Sequence, residues 1–175
     1  DYNVNGKVAL ITGGTRGLGL DIAEAYVLNG IKTVIITSRK AKACSDSKAY
    51  LEKIAKDNGK NVEVISIPAD ISKDKELKEF ASTILSKIDT LNILVANAGA
   101  TWGAPLEEHP IDAIRKVLDL NVTSVFGCIQ AFTPILEKSG TDEDPSRILI
   151  TSSVASIVAQ DGAGTFGYLA SKAGV

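Results

Sequence analysis

Five short apolar runs recur along this chain, and a stretch patterned for helix follows each of them. The runs are Lys7 to Thr12 (K-V-A-L-I-T), Thr33 to Thr37 (T-V-I-I-T), Val62 to Ile67 (V-E-V-I-S-I), Ile93 to Ala96 and Arg147 to Thr151. Near-continuous Val/Ile/Leu runs of this length suit strands buried on both faces. Helical patterns occupy Leu18 to Asn29, Ala41 to Asn58, the stretch after Ser72, Pro110 to about Lys138, and a segment beginning near Tyr168. In the second, Leu51, Ile54 and Ala55 share a stripe. In the third, Leu77, Phe80, Ala81, Ile84, Leu85 and Ile88 recur on one face, and Ser72 stands where it can cap the start. Strands alternating with helices, joined by right-handed crossovers, predict an α/β fold with a doubly wound parallel sheet. At 175 residues the chain suits one domain, 1–175.

Composition narrows the partners. A net charge of -2 with 23% charged residues offers no footprint for nucleic acid or an anionic membrane surface. No apolar run is long enough to span a membrane, and no signal-peptide pattern opens the chain, so the expected setting is cytoplasmic. Cys44 and Cys128 are far apart and read as structural thiols, and His109 is the single histidine, which leaves no metal site. His109 precedes Pro110 and suits a helix entry. There is no methionine and the first residue is Asp1, so the expectation is that the numbering starts inside a longer sequence.

Between the first strand and first helix lies T-G-G-T-R-G-L-G, Thr12 to Gly19. Glycines at 13, 17 and 19 permit a tight turn and let a pyrophosphate approach the backbone, while the helix start presents free N–H groups. The end of the second strand, where an NAD site carries a carboxylate, reads Ser38, Arg39, Lys40. Two cations and a hydroxyl suit a 2′-phosphate, with Arg16 as a third cation, so the cofactor expected is NADP(H). A P-loop is disfavoured because the turn lacks G-K-[ST]. Near the other end, Tyr168 and Lys172 in G-Y-L-A-S-K share a helix face. With fifteen lysines and four tyrosines, that pair means little by itself.

Taken in order, T-G-x-x-x-G-x-G at Thr12 to Gly19, Asp70 after the third strand, A-N-A-G at Ala96 to Gly99, L-N-V at Leu120 to Val122, Ser152 with Ser153, and Y-x-x-x-K at Tyr168 to Lys172 resemble the short-chain dehydrogenase/reductase family over nearly the whole chain. The resemblance implies a Rossmann-type sheet in the order 3-2-1-4-5, with the family's last two strands beyond Val175. It implies that Gly13, Thr15, Arg16, Gly17, Leu18 and Gly19 hold the cofactor, that Asp70 and Ile71 meet the adenine, and that Asn97, Ala98 and Gly99 line the ribose side. It implies a catalytic group of Asn121, Ser153, Tyr168 and Lys172, with Lys172 also on the nicotinamide ribose, the serine on the substrate oxygen and the asparagine supporting a water relay. An isolated phenol exchanges protons reluctantly at neutral pH, and the ammonium one turn away favours the phenolate, so Tyr168 can serve as acid or base.

The activity implied is NADPH-dependent reduction of a ketone or oxidation of its alcohol, on a small 3-oxoacyl-like or related substrate, with A-T-W-G-A-P at Ala100 to Pro105 as a further likeness. Trp102 suits an apolar wall or simple packing. A polyol or sugar dehydrogenase of the same family and a catalytically silent nucleotide-binding scaffold are the alternatives. Three departures stand out: Ser153 lies fifteen residues before Tyr168, which keeps Ser152 in contention; Ala96 replaces an asparagine; and the sequence ends at Val175. A piece of this extent is expected to keep the nucleotide groove and turn over little. The full-length protein is expected to form a homodimer or homotetramer through the long helix from Pro110 and the one from Tyr168, although Ile114, Leu118, Val122, Val125 and Ile129 equally suit packing within the subunit.

Overall fold

The computed structural model describes residues 3–158 and 164–175. Five strands, β1 (Val8–Thr12), β2 (Thr33–Ser38), β3 (Glu63–Pro68), β4 (Ile93–Ala96) and β5 (Arg147–Ile150), form one parallel sheet in the order β3-β2-β1-β4-β5. This is the Rossmann-type order expected from the sequence. Six α-helices accompany it: α1 (Gly17–Leu28), α2 (Ala41–Asp57), α3 (Asp74–Leu85), α4 (Ile111–Leu118), α5 (Ser124–Ser139) and α6 (Phe166–Gly174).

Successive strand residues point to opposite faces, so the apolar runs feed two cores. Leu10, Ile35 and Leu94 pack with Phe80 and Ile84 of α3 and with Cys128 and Phe132 of α5. Ile11, Ile36 and Val95 pack on the other face with Ala23 and Val27 of α1 and Leu51 of α2. Phe80 and Phe132 meet edge to face at 6.2 Å, a favoured arrangement of aromatic rings. The two edge strands differ: β3 ends in a proline, whereas Ile148, Leu149 and Ile150 of β5 are exposed.

Several boundaries depart from the sequence expectation. Ser72 does not cap α3; Lys73 holds that position, and the Ser72 hydroxyl donates to Asp70 Oδ1 at 2.6 Å. A short side chain beside an aspartate closes a local Asp turn in preference to a helix cap. Leu85 is 41% exposed at the last position of α3, while its stripe neighbours Ile84 and Ile88 pack on the core. Pro110 precedes α4 instead of opening its first turn, and the His109 ring packs edge-on against Phe166 at 5.6 Å. The helix expected from Pro110 to Lys138 is interrupted by a π turn, Asp119–Thr123. There the Ser124 N–H reaches back to the Asp119 carbonyl, and the Ser124 hydroxyl takes the Leu120 carbonyl at 2.6 Å. Such single-turn bulges often mark functional positions. α6 begins two residues before Tyr168, and a methyl on its Gly167 would lie 3.2 Å from Ile114 Cα, so that part of the apolar face packs within the chain. Of the glycine-bearing segment expected to lead into α6, residues 159–163 lie outside the described residues. No helix among the described residues is long and apolar enough to cross a membrane, and no cluster of three His, Cys, Asp or Glu side chains among them is arranged to hold a metal.

Candidate active site

The glycine turn joins β1 to α1 and folds against the end of β4. Gly13 has φ +67, and a Cβ there would lie 2.9 Å from Ala98 Cα; a Cβ on Gly19 would lie 2.3 Å from the Gly13 carbonyl oxygen. No side chain fits either place, which is why glycine stands there. Thr12 Oγ1 accepts from the Asn97 and Ala98 N–H groups, both at 3.0 Å, and Asn97 Nδ2 donates to the Thr12 carbonyl at 3.2 Å. From the other side Ser47 of α2 donates to the Thr15 carbonyl at 3.0 Å. No side chain caps the start of α1, where Arg16 is the N-cap, so the N–H groups of its first turn face outward with the positive end of the helix dipole.

In front of this turn runs a groove of about 440 Å³ along the C-terminal ends of the strands. Every residue expected on its nucleotide side, from Gly13 through Ser38, Arg39, Asp70 and Ile71 to Gly99, lines it except Lys40, which is exposed and serves as the N-cap of α2. Thr37, Ala69, Ala100 and Leu120 also line it, and none of the four is among the cofactor residues expected from the sequence. Thr37 is the informative omission. It is 1% exposed, and its hydroxyl is buried without a hydrogen-bond partner among the described residues. Buried hydroxyls are normally bonded, so one left open beside the groove suits a polar ligand. The available signal was a hydroxyl closing an otherwise apolar strand, directly before Ser38. The Ser38 hydroxyl itself lies 3.6 Å from the Cys44 sulfur. Asp70 is fixed in the groove wall, its Oδ1 accepting from the Ser72 N–H and hydroxyl while its own N–H donates to Glu76.

At the other end, the π turn buries Asn121 at 1% exposure. Its Oδ1 accepts from the Ala100 N–H, and its Nδ2 donates to the Ala100 carbonyl and to Ser171 Oγ, all at 2.9 Å. Both amide protons are therefore committed within the protein. Lys172, 6% exposed, donates to the Thr151 carbonyl at 2.6 Å and stands 5.9 Å from the centre of the Tyr168 ring. A methyl on Gly99 would sit 3.4 Å from Asn121 Oδ1 and 3.7 Å from Lys172 Nζ. The groove wall, the asparagine and the lysine thus converge. Neither Tyr168 nor Lys172 lines the groove; Tyr168 is half-buried, with the Lys172 ammonium over its ring.

The two serines differ in what their hydroxyls do. Ser152 donates to the Lys172 carbonyl at 3.1 Å, whereas Ser153 Oγ accepts from the Ala155 N–H at 3.2 Å and keeps its own proton free among the described bonds. Ala96 is the buried last residue of β4, paired with Ile150, a place that a methyl fills. Trp102 and Leu106 are exposed on the connection from β4 to α4. Away from the groove, both cysteines are buried and free, and burial pushes the Cys128 thiol up to about 12, which leaves it inert at neutral pH.

Residues 7–175 match the family described as short chain dehydrogenase. The chain is 39% identical over 172 residues to a rhamnolipid-biosynthesis 3-oxoacyl-[acyl-carrier-protein] reductase of Pseudomonas aeruginosa, an alignment covering 98% of this chain and 64% of that one. Among solved structures it resembles the Pseudomonas aeruginosa RhlG/NADP active-site complex, with TM-score 0.90 and 39% identity over 99% of this chain and 64% of that one. It also resembles a short-chain dehydrogenase/reductase from Burkholderia phymatum in complex with NAD, with TM-score 0.85 and 26% identity over 99% and 58%. The chain spans somewhat less than two thirds of the length of these relatives.

Proposed function

This chain belongs to the short-chain dehydrogenase family, and from that premise we propose that it binds NADP(H) and, in the whole protein, reduces a ketone to an alcohol reversibly. One observation carries the proposal. Lys172 is an almost fully buried ammonium with one hydrogen bond, to a carbonyl, and no carboxylate partner among the described residues. Buried charges are ordinarily paired. Two further donors on Lys172, next to Gly99 of the groove wall, suit the hydroxyls of a nucleotide ribose. The groove fits such a cofactor on two further counts: the cradle at Gly13 and Gly19 that a Cβ would fill, and the open hydroxyl of Thr37.

When bound, the nicotinamide would supply or take the hydride. The chain's own residues do the rest. Tyr168 gives the proton to the carbonyl oxygen, and Ser153 spends its free proton holding the substrate oxygen. The N–H groups at the start of α1 hold the pyrophosphate, and Ser38, Arg39 and Arg16 hold the 2′-phosphate. Arg39 and Arg16 line the groove with no carboxylate bridged to either among the described residues, which favours NADP(H) over NAD. A 3-oxoacyl-like substrate is favoured over a polyol because Trp102 and Leu106 offer apolar surface and because the Pseudomonas relative is described as a 3-oxoacyl reductase. The dimer or tetramer is proposed to form through α5, where Phe126 is exposed.

Tyr168→Phe is the deciding variant. We expect NADPH affinity within about threefold of wild type, followed by titration, and a loss of ketone reduction of about a thousandfold, in the range of a missing general acid. Unchanged turnover would overturn the role of Tyr168, and a wild-type protein that binds NADPH without reducing any ketone would favour the scaffold alternative.

A further inference from the structure

Beside Tyr168 and Lys172 lie two buried polar side chains, Asn121 and Ser171, at 1% and 0% exposure. Their hydrogen bonds run in one direction only. Ala100 binds Asn121 through both its backbone groups, and this fixes which end of the amide carries oxygen. The second amide proton then goes to Ser171 Oγ at 2.9 Å, and the hydroxyl that accepts it sends its own proton to the Tyr168 carbonyl at 2.7 Å. A buried helical serine usually satisfies itself on a carbonyl three or four residues back. Ser171 does this and also serves as acceptor for a side chain 50 residues away.

We propose that Ser171 is a positioning residue for the reaction. Its hydroxyl, acting through the Asn121 amide, registers α6, which carries Tyr168 and Lys172 on either side of it, against the groove segment at Ala100. What is positioned rests on the carbonyl-reductase proposal; that something is positioned does not. Among the described hydrogen bonds none joins Ser171 to Ala100 directly, and the link between them runs through Asn121.

The test compares Ser171→Ala with Ser171→Cys, which nearly keeps the volume but bonds weakly through its thiol, reading amide hydrogen exchange by NMR together with NADPH affinity and turnover. In both variants exchange at the Ala100 N–H should rise about tenfold, as expected for a lost buried bond, with β1 and β2 amides unchanged within about twofold. Turnover should fall about tenfold while NADPH affinity stays within about threefold. Unchanged exchange at Ala100 overturns the proposal, as does an equal rise through β1 and β2, which would make Ser171 a plain stability residue. Recovery in the cysteine variant also overturns it, because volume would then be what matters. Absent wild-type turnover would sink the reductase proposal alone, since exchange at Ala100 still decides whether Ser171 positions the groove.

Discussion

The two ends of the groove are built by different means. At the nucleotide end the backbone does the work: Gly13 and Gly19 stand where no Cβ fits, the first turn of α1 presents uncapped N–H groups, and Thr12 ties the turn to β4. At the end that holds Lys172, side chains reach across the fold. Asn121 grips Ala100 and Ser171, while Lys172 reaches Thr151. Close backbone packing sets the first end, with Thr12 and Ser47 tying it in place, and side-chain hydrogen bonds set the second. The first should therefore fail through sterics, with binding lost, and the second through loss of direction, with binding kept.

Gly19→Ala is the strongest way to break that distinction. Its Cβ would stand 2.3 Å from the Gly13 carbonyl oxygen and 2.6 Å from Asn97 Nδ2, and backbone cannot yield as a flexible side chain does. Overpacking of this kind costs about 1–3 kcal/mol, and the turn that yields is the one proposed to hold the pyrophosphate. NADPH affinity, measured by titration, should fall about a hundredfold, and the thermal midpoint should drop. An alanine variant that binds NADPH as wild type does would mean that the groove's backbone is not fitted to the ligand.

The same division explains what could be read from the sequence. The alternation of strands and helices and the glycine turn were legible because apolar runs and glycine spacing report backbone constraints directly, whereas the sheet order and the groove residues Asp70, Ile71 and Asn97 to Gly99 came from the family resemblance. Ser72 was misread as a cap because its competitor, Asp70, acts through a bond that spacing alone does not reveal. Leu85 fits the stripe but lies where α3 ends. The π turn at Asn121 leaves no composition signal, and Ser171 is an unspecified position inside Y-x-x-x-K; its partner lies 50 residues away. Ser152 and Ser153 are equivalent in sequence, and only their hydrogen bonds separate them.

A milder change sharpens the comparison from within the nucleotide end. Arg39→Ala leaves the backbone cradle intact and removes one cation from the groove lining. A charge-assisted hydrogen bond is worth about 1.5–3 kcal/mol, so NADPH affinity should weaken about tenfold to a hundredfold while NADH affinity holds within about twofold. Equal weakening of both cofactors would show that Arg39 shapes the groove instead of reading the 2′-phosphate.

The smallest effect is expected away from both ends, at the N-terminal ends of the strands. There Lys7, before β1, and Arg147, at the start of β5, both bridge to Asp144. The hydrogen bond from Lys7, then that from Arg147, hold the Asp144 carboxyl below the usual carboxylate range. A carboxyl depressed in the folded state stabilises the fold above its unfolded value, and that contribution disappears as pH falls through the folded value. Asp144 is exposed, so the contribution is small. Asp144→Asn should lower the thermal midpoint slightly at pH 7, and the gap from wild type should close as the medium is acidified below about pH 4, the ordinary aspartate range. NADPH affinity should not move. A gap that persists undiminished in acid would mean that Asp144 acts through packing. A shift in NADPH affinity would mean that strain at these strand starts reaches the groove, so that the two ends of the site are not as separately built as their hydrogen bonds indicate.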